Sequence, residues 1–125
     1  MLNNVKKLLK KGKGWRIGWK DNPVLYQGLI GADDWAIELT QQEMQDFCRL
    51  LFQIHHTMTD MGKYLMEEES IVCEVESDLM WLGAEGYFDR YSLRIILLQG
   101  RGCEGTWTEN VTQELILATQ SLECF

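Results

Sequence analysis

The residues best suited to bind a ligand lie between positions 10 and 20, where cations are interleaved with glycines and tryptophans. The cations of this stretch are Lys10, Lys11, Lys13, Arg16 and Lys20, and its tryptophans are Trp15 and Trp19. Lysine and arginine side chains contact phosphates, while indole rings stack on unpaired bases with little demand on base sequence. The stretch therefore predicts a site for single-stranded DNA or RNA.

The same stretch has a second interpretation, because its residues alternate with a period of two. Trp15, Ile17 and Trp19 fall on one side of an extended chain and Arg16, Gly18 and Lys20 on the other, which is the pattern of a half-buried strand. The tryptophans then belong to the core and the cations form a basic rim. Stacking and core packing are both open at this point.

Residues that could catalyse a reaction or hold a metal are not arranged for either task. His55 and His56, the two histidines, point about 100° apart on a helix and cannot share a metal. The four cysteines contain no Cys-x-x-Cys pair, and no phosphate-binding glycine loop or serine-nucleophile motif occurs. We therefore expect a protein that is not an enzyme and has no catalytic residues, metal or cofactor, with its cysteines packed as small core residues.

Charge is distributed unevenly along the chain. The formal net charge is −7, but residues 1–20 carry +7 and the remainder carries −14. A basic arm on an acidic body suits a phosphate backbone or an acidic partner, whereas the body repels nucleic acid. Since no apolar run reaches the roughly 20 residues that span a bilayer and no signal peptide is evident, we expect a cytoplasmic protein without a membrane partner.

Three helices are predicted from apolar spacing and capping residues. The longest runs from Thr40 to Met66, where Thr40 and Glu43 form a capping box. An apolar stripe follows at steps of three and four, made of Met44, Phe47, Leu51, Ile54, Met58, Met61 and Leu65. A short amphipathic helix is predicted over Met1–Lys11, ended by Gly12, and a third helix after Asn110, with a second box-like cap from Gln113. The apolar residues of the third helix step by four and three, and they are Val111, Leu115, Ala118, Leu122 and Phe125.

Strand patterns precede each of the two longer helices. They cover Trp15–Lys20, Val24–Ile30 and Trp35–Leu39 in the first half, and Ile71–Glu76, Leu79–Glu85, Tyr91–Leu98 and Cys103–Trp107 in the second. Each half is thus an antiparallel meander followed by a helix. We predict a single α+β domain over residues 1–125, with repeated units at about 14–66 and 70–125.

Five short motifs carry a resemblance to a known family. They are Gly14-Trp15-Arg16-Ile-Gly18, Trp35-Ala-Ile-Glu-Leu-Thr40, Leu65-Met66-Glu67-Glu68-Glu69, Tyr91-Ser92-Leu93-Arg94 and Glu104-Gly105-x-Trp107. Together the chain resembles a cyanobacterial family of small proteins known as a domain of unknown function. The resemblance implies a fold similar to the Whirly and PurA single-stranded-DNA-binding regulators, which repeat a unit of four strands and a helix. Lys11-Gly12-Lys13 is similar to a Lys-Gly-Lys stretch in the DNA-binding region of Whirly proteins.

Two functional hypotheses follow. The first is a non-enzymatic domain that binds single-stranded nucleic acid and serves transcription. The alternative is a protein-interaction module, in which a helix stripe or the acidic strand face binds a protein partner or a second copy, with Met58 and Met61 among the contacts.

Overall fold

The computed structural model describes residues 7–64 and 69–122, and its strands form two four-stranded antiparallel sheets. Sheet A contains β1 (Lys7–Gly12), β2 (Trp15–Lys20), β3 (Gly28–Gly31) and β4 (Ala36–Leu39), and α1 (Gln41–Met61) follows it. Sheet B contains β5 (Ile71–Glu76), β6 (Met80–Tyr87), β7 (Arg90–Leu97) and β8 (Glu104–Trp107), and α2 (Thr112–Gln120) follows it. In both sheets strands consecutive in sequence are neighbours, so the predicted α+β class is confirmed.

β1 occupies part of the segment in which the sequence pattern predicts an N-terminal helix. Lys7–Gly12 pairs with β2 residue by residue, from Lys7 opposite Lys20 to Gly12 opposite Trp15. The helix predicted over Met1–Lys11 is therefore wrong for residues 7–11, and its first six residues lie outside the described part. The strand is favoured over the helix because its pairing satisfies backbone groups that β2 would otherwise present at an open edge. Gly14 lies in the turn between β1 and β2 with a φ of +86°, a backbone conformation that is strained in residues other than glycine.

α1 begins where predicted and ends earlier. The Thr40 amide donates to Glu43 Oε1 at 2.8 Å, and the Glu43 amide donates to Thr40 Oγ1 at 3.2 Å, so the capping box is confirmed. The helix ends at Met61 rather than Met66. Phe88 packs against the backbone of Gly62, where a Cβ would lie 2.4 Å from the ring. Leu65 and Met66 fall outside the described residues.

α2 starts without the predicted cap. Val111 occupies the N-cap position, and no side chain caps the helix there. Instead of reaching back to Asn110, Gln113 donates through Nε2 to the Asp89 carbonyl at 3.3 Å. The apolar spacing is confirmed by the burial of Val111, Leu115, Ala118 and Leu122, while Phe125 lies outside the described residues.

The second strand of the first half is displaced from its predicted range. The pattern predicts Val24–Ile30, whereas β3 covers Gly28–Gly31. A Cβ at Gly28 would lie 3.0–3.2 Å from the side chain of Met44. The glycine therefore lets β3 pass close to α1 and is not a bend within a longer strand.

One buried cluster contains side chains from both sheets and both helices. The α1 stripe is fully buried at Met44, Phe47, Leu51, Ile54 and Met58. α1 packs chiefly on β5 and β6, whereas α2 packs on β2 and β7. Each helix therefore covers strands of the other half. None of the helices in the described ranges, 7–64 and 69–122, is long and apolar enough to cross a membrane.

Two tryptophans and one arginine bind the halves to each other. Trp107 donates through Nε1 to the Gly31 carbonyl at 2.8 Å, and Trp35 donates to the Thr106 carbonyl at 3.2 Å. The two indole rings are 4.9 Å apart at their centroids.

Arg101 forms a second link between the halves. It lies in the β7–β8 turn, where its Nε is 3.3 Å from Glu43 Oε2. Its guanidinium lies 4.8 Å from the centroid of the Tyr26 ring and also donates to the Glu38 carbonyl. A turn of sheet B thereby holds the start of α1.

Candidate nucleic-acid interface

The β1–β2 hairpin divides the predicted binding residues between two faces. Trp15, Ile17 and Trp19 point from β2 toward the helices, and Arg16, Gly18 and Lys20 point away. Residues opposite each other in an antiparallel pair share a face, so β1 adds its odd-numbered residues to this outer side. The outer face of sheet A, as we call it, presents Lys7, Leu9, Lys11, Arg16, Gly18, Lys20 and Leu29.

The two tryptophans do not present their rings to a ligand on this face. Trp19 is 5% exposed and belongs to the core. Trp15 is half-buried, lies against Gly12, and donates through Nε1 to Glu114 Oε2 in α2 at 2.9 Å. The period of two turns both rings toward α2 and the core, so the structure favours the core interpretation of the two tryptophans and gives base stacking no geometric support.

Lys10 also points inward. It lies opposite Ile17 in the hairpin, and its Nζ donates to Ser121 Oγ just beyond α2. Lys10 and Trp15 therefore attach the hairpin to α2. Their role in the structure is to hold the sheet edge in place, and the phosphate contact predicted for Lys10 has no geometric support.

Arg16 lies on the outer face and positions a neighbouring turn. Its Nε donates to the Ala32 carbonyl at 2.9 Å and its Nη2 to the Trp35 carbonyl at 3.1 Å. Within the part of the chain that the structure describes, Arg16 has no carboxylate partner. Two carbonyls thus hold the guanidinium in place, and no described carboxylate neutralises its charge.

Four lysines complete the charged part of the site. Lys7, Lys11, Lys13 and Lys20 form no ion pair among residues 7–64 and 69–122. Lys7, Lys11 and Lys13 are exposed, and Lys20 is half-buried at the end of β2. Lys13 lies in the hairpin turn beside Gly14. On the far edge of the sheet, the exposed Glu38 of β4 bounds the basic area.

The centre of the outer face is apolar. Leu9 is 64% exposed and lies over Gly18, where an added Cβ would be 3.3 Å from its Cδ1. Leu29 lies opposite Gly18 on the other side. Sequence reasoning missed Lys7 and Leu9 as site residues because residues 1–11 fit a helical period. It missed Leu29 because its place on this face depends on the pairing of β3 with β2. The Lys13-Gly14 turn beside the alternating strand pattern of residues 15–20 is the signal of a hairpin that could have found Lys7 and Leu9.

The remaining arginines do not extend this site. Arg49 pairs with Asp46 at 3.5 Å, Arg90 with Glu109 at 3.7 Å, and Arg94 with Glu104 at 3.1 Å, while Arg101 is bound to Glu43.

A cluster of polar groups lies between α1 and sheet B. Tyr91 Oη is 3.5 Å from His55 Nδ1. The pKa of the Cys73 thiol is raised overall, chiefly by burial. A hydrogen bond with Thr57 lowers this pKa and the charge of Glu74 raises it, and both effects are smaller. Burial also raises the pKa of the Tyr91 phenol. Both groups keep their protons at neutral pH, so the cluster supplies no ready nucleophile.

Across the described residues, no group of three or more histidine, cysteine, aspartate or glutamate side chains is placed to hold a metal ion. His56 Nε2 lies 3.5 Å from Asp60 Oδ2 at the surface of α1, as the i, i+4 spacing predicts.

Comparison with known proteins gives a family but no activity. No curated protein matches the chain. A solved structure from Prochlorococcus sp. NATL2A, described as a protein with unknown function from the DUF155 family, is similar with 29% sequence identity and a TM-score of 0.87. The match covers 94% of this chain and 98% of that chain. A family model described as "Domain of unknown function (DUF1818)" matches residues 10–122, and the chain therefore belongs to the DUF1818 family.

Proposed function

We propose that this chain is a non-enzymatic domain that binds single-stranded DNA or RNA on the outer face of sheet A. The observation that carries the proposal is a row of lysines without acidic partners among the described residues, placed with Arg16 around the exposed Leu9. Cations contact the phosphates of the strand, and the leucines pack against sugars and bases. No outer-face residue is aromatic, so binding is expected to be weaker than on an aromatic platform and tolerant of base sequence.

The arrangement of elements also supports this proposal. Four strands followed by a helix occur twice along the chain, which is the order that the resemblance to Whirly proteins implies. Lys11-Gly12-Lys13 lies at the end of β1 and in the turn after it. Its two lysines are exposed, as a stretch that contacts phosphates requires.

The charge of the rest of the chain limits the contact area. Residues beyond position 20 carry −14 and repel a nucleic acid that leaves the basic face. The four cations on the face and Lys13 in the turn, at a slope of about 0.7 per phosphate for single strands, predict that log Kd changes by about 3.5 for each tenfold change in salt. Affinity should therefore fall roughly 100-fold between about 50 and 200 mM salt.

The test is a fluorescence anisotropy titration of labelled oligothymidine and oligouridine at two salt concentrations. The variant Lys7→Glu/Lys11→Glu/Lys20→Glu reverses three charges of the outer face. It should abolish binding at low salt, while tryptophan fluorescence of the parent changes little on binding, because Trp15 and Trp19 face inward.

The matched control is Arg49→Glu/Lys63→Glu/Arg90→Glu, which changes the net charge equally at exposed positions away from the face. It should retain most of the affinity. Absence of binding by the parent at low salt, or equal losses in both variants, would contradict the proposal.

A further inference from the structure

The second exposed sheet surface is the outer face of sheet B, the side turned away from the helices. On β5 it presents Val72, Glu74 and Glu76, which alternate with the inward-facing Ile71, Cys73 and Val75. The residues opposite them on β6 are Glu85, Gly83 and Trp81. This surface therefore has acidic groups where the outer face of sheet A has basic groups.

The outer face of sheet B also has an exposed apolar part. The Trp81 ring lies across Gly83, where an added Cβ would be 2.4 Å from Cη2. Val72 is 64% exposed. A shallow cleft of about 310 Å³ lies between them, bordered by Glu74 and Glu85. Apolar side chains rimmed by charges on an open sheet are typical of a surface that binds another protein.

The acidic groups of this face are not neutralised locally. Glu74, Glu76 and Glu85 take part in no ion pair within residues 7–64 and 69–122. The nearby Arg94 does not offset them, because both oxygens of Glu104 accept hydrogen bonds from its Nη2, at 3.1 and 3.2 Å. The face as a whole therefore attracts a cationic surface.

The same chain carries such a surface. Around the exposed Leu9, the outer face of sheet A has lysines that pair with no described carboxylate. The outer face of sheet B has glutamates that pair with no described cation, beside the exposed Val72 and the half-buried Trp81. We propose that copies of this chain associate head to tail, with the outer face of sheet A of one copy on the outer face of sheet B of the next. Complementary charges fix the orientation, and Leu9 of one copy packs against Val72 and Trp81 of the other.

The geometry of the faces sets the expected strength and symmetry. In a sheet the strands lie about 4.8 Å apart and rise about 3.4 Å per residue, so a four-stranded face has an area of roughly 400 Å². Two such faces bury roughly 800 Å² in total, which is less than a stable interface buries, so we expect weak, micromolar and salt-sensitive association. Because the two contacting faces differ, the contact is heterologous, and it produces a ring or an open chain rather than a two-fold dimer.

This inference goes beyond the proposed function, although both use the outer face of sheet A. A second copy and a nucleic acid would compete for that face. The test of association contains no nucleic acid, so its outcome is independent of the binding titration above.

The experiment is sedimentation velocity of nuclease-treated protein from about 10 to 500 μM, at low and high salt. One variant, Lys7→Glu/Lys11→Glu/Lys20→Glu, makes both faces acidic, and a second, Glu74→Lys/Glu85→Lys, makes both faces basic. Parent protein should show concentration-dependent growth in mass that disappears at high salt. Each variant alone should remain monomeric, with at least a tenfold weaker apparent Kd.

An equimolar mixture of the two variants should associate again, because each reversed face then meets a complementary one. Recovery in the mixture also shows that both variants are folded. The proposal is overturned if the parent is monomeric throughout, if either variant alone associates like the parent, or if the mixture stays monomeric. Circular dichroism of each variant ensures that a monomeric mixture is not a result of unfolding.

Discussion

The two halves of the molecule have the same order of strands and helix but differ in their exposed charges, helix lengths and helix caps. Both consist of four antiparallel strands followed by a helix. The first half has a basic outer face and a long helix with a complete capping box, whereas the second has an acidic outer face and a nine-residue helix with no side-chain cap. The order of strands and helices follows from the periodic spacing of the buried residues, whereas the exposed residues can differ without changing the fold. Binding properties therefore have to be sought in the differences between the halves.

The largest difference concerns the two tryptophans that join the halves. Trp107 is 1% exposed and packs against Phe47, while Trp35 is partly exposed. We expect Trp107→Ala to lower the free energy of unfolding by about 3–5 kcal/mol and Trp35→Ala by about 1–2 kcal/mol. Chemical denaturation measures both. Trp107→Phe should recover part of the loss, and equal losses at the two positions would show that the halves meet differently.

The next difference is the buried carboxylate of α1, which has no counterpart at the start of α2. The Glu43 side chain is 6% exposed, and Arg101→Met leaves it without its cation. We expect this change to lower the free energy of unfolding by about 2 kcal/mol. The loss is smaller than for a fully buried pair because Arg101 is partly solvated.

Glu43→Gln is the control, since glutamine also suits a capping box. The double variant Glu43→Gln/Arg101→Met should cost less than the sum of the two single changes. Additive losses in a denaturation series would rule out the pairing.

The helix caps allow a matched test. Thr40→Ala removes the hydroxyl that accepts from the Glu43 amide and should cost about 1 kcal/mol. Asn110→Ala should change the free energy of unfolding by less than about 0.5 kcal/mol, because the structure gives Asn110 no capping role. A loss at Asn110 similar to that at Thr40 would mean that α2 is capped after all.

The smallest expected effect is a pH dependence in sheet B. Burial raises the pKa of Tyr91 above its ordinary value of 10, so the folded chain holds this proton more tightly than the unfolded chain does. Its contribution to stability is complete below about pH 10 and is lost as pH rises further. Tyr91→Phe should therefore lose less stability than the parent between about pH 9 and 11. Urea denaturation at several pH values, with Tyr64→Phe as an exposed control, measures this, and parallel curves would contradict it.

The parts of the fold that could be predicted from the sequence are those specified by local signals. The Thr40–Glu43 box and the apolar steps that follow it define α1, and the alternation of Trp15 to Lys20 defines β2. The α2 cap could not be predicted in the same way, because Gln113 finds a partner in the Asp89 carbonyl, which belongs to a distant turn.

The candidate site was predicted less well, because a sheet face depends on register. Lys11, Arg16 and Lys20 were predicted as ligand contacts and do share the outer face. Lys10 was predicted with them, yet a shift of one residue along a strand turns a side chain to the other side. Leu9 fits both a helical and an extended pattern, and only pairing with β2 decides between them.

The packing of α1 on β5 and β6 affects how the chain is made. α1 ends at Met61, but β6 is complete only at Tyr87, so during synthesis the helix leaves the ribosome before the strands that cover it. At about 5–20 residues per second, its stripe of methionine, phenylalanine, leucine and isoleucine stays uncovered for a second or more. In that interval the nascent chain presents a long apolar helix face, which is the kind of surface that chaperones bind.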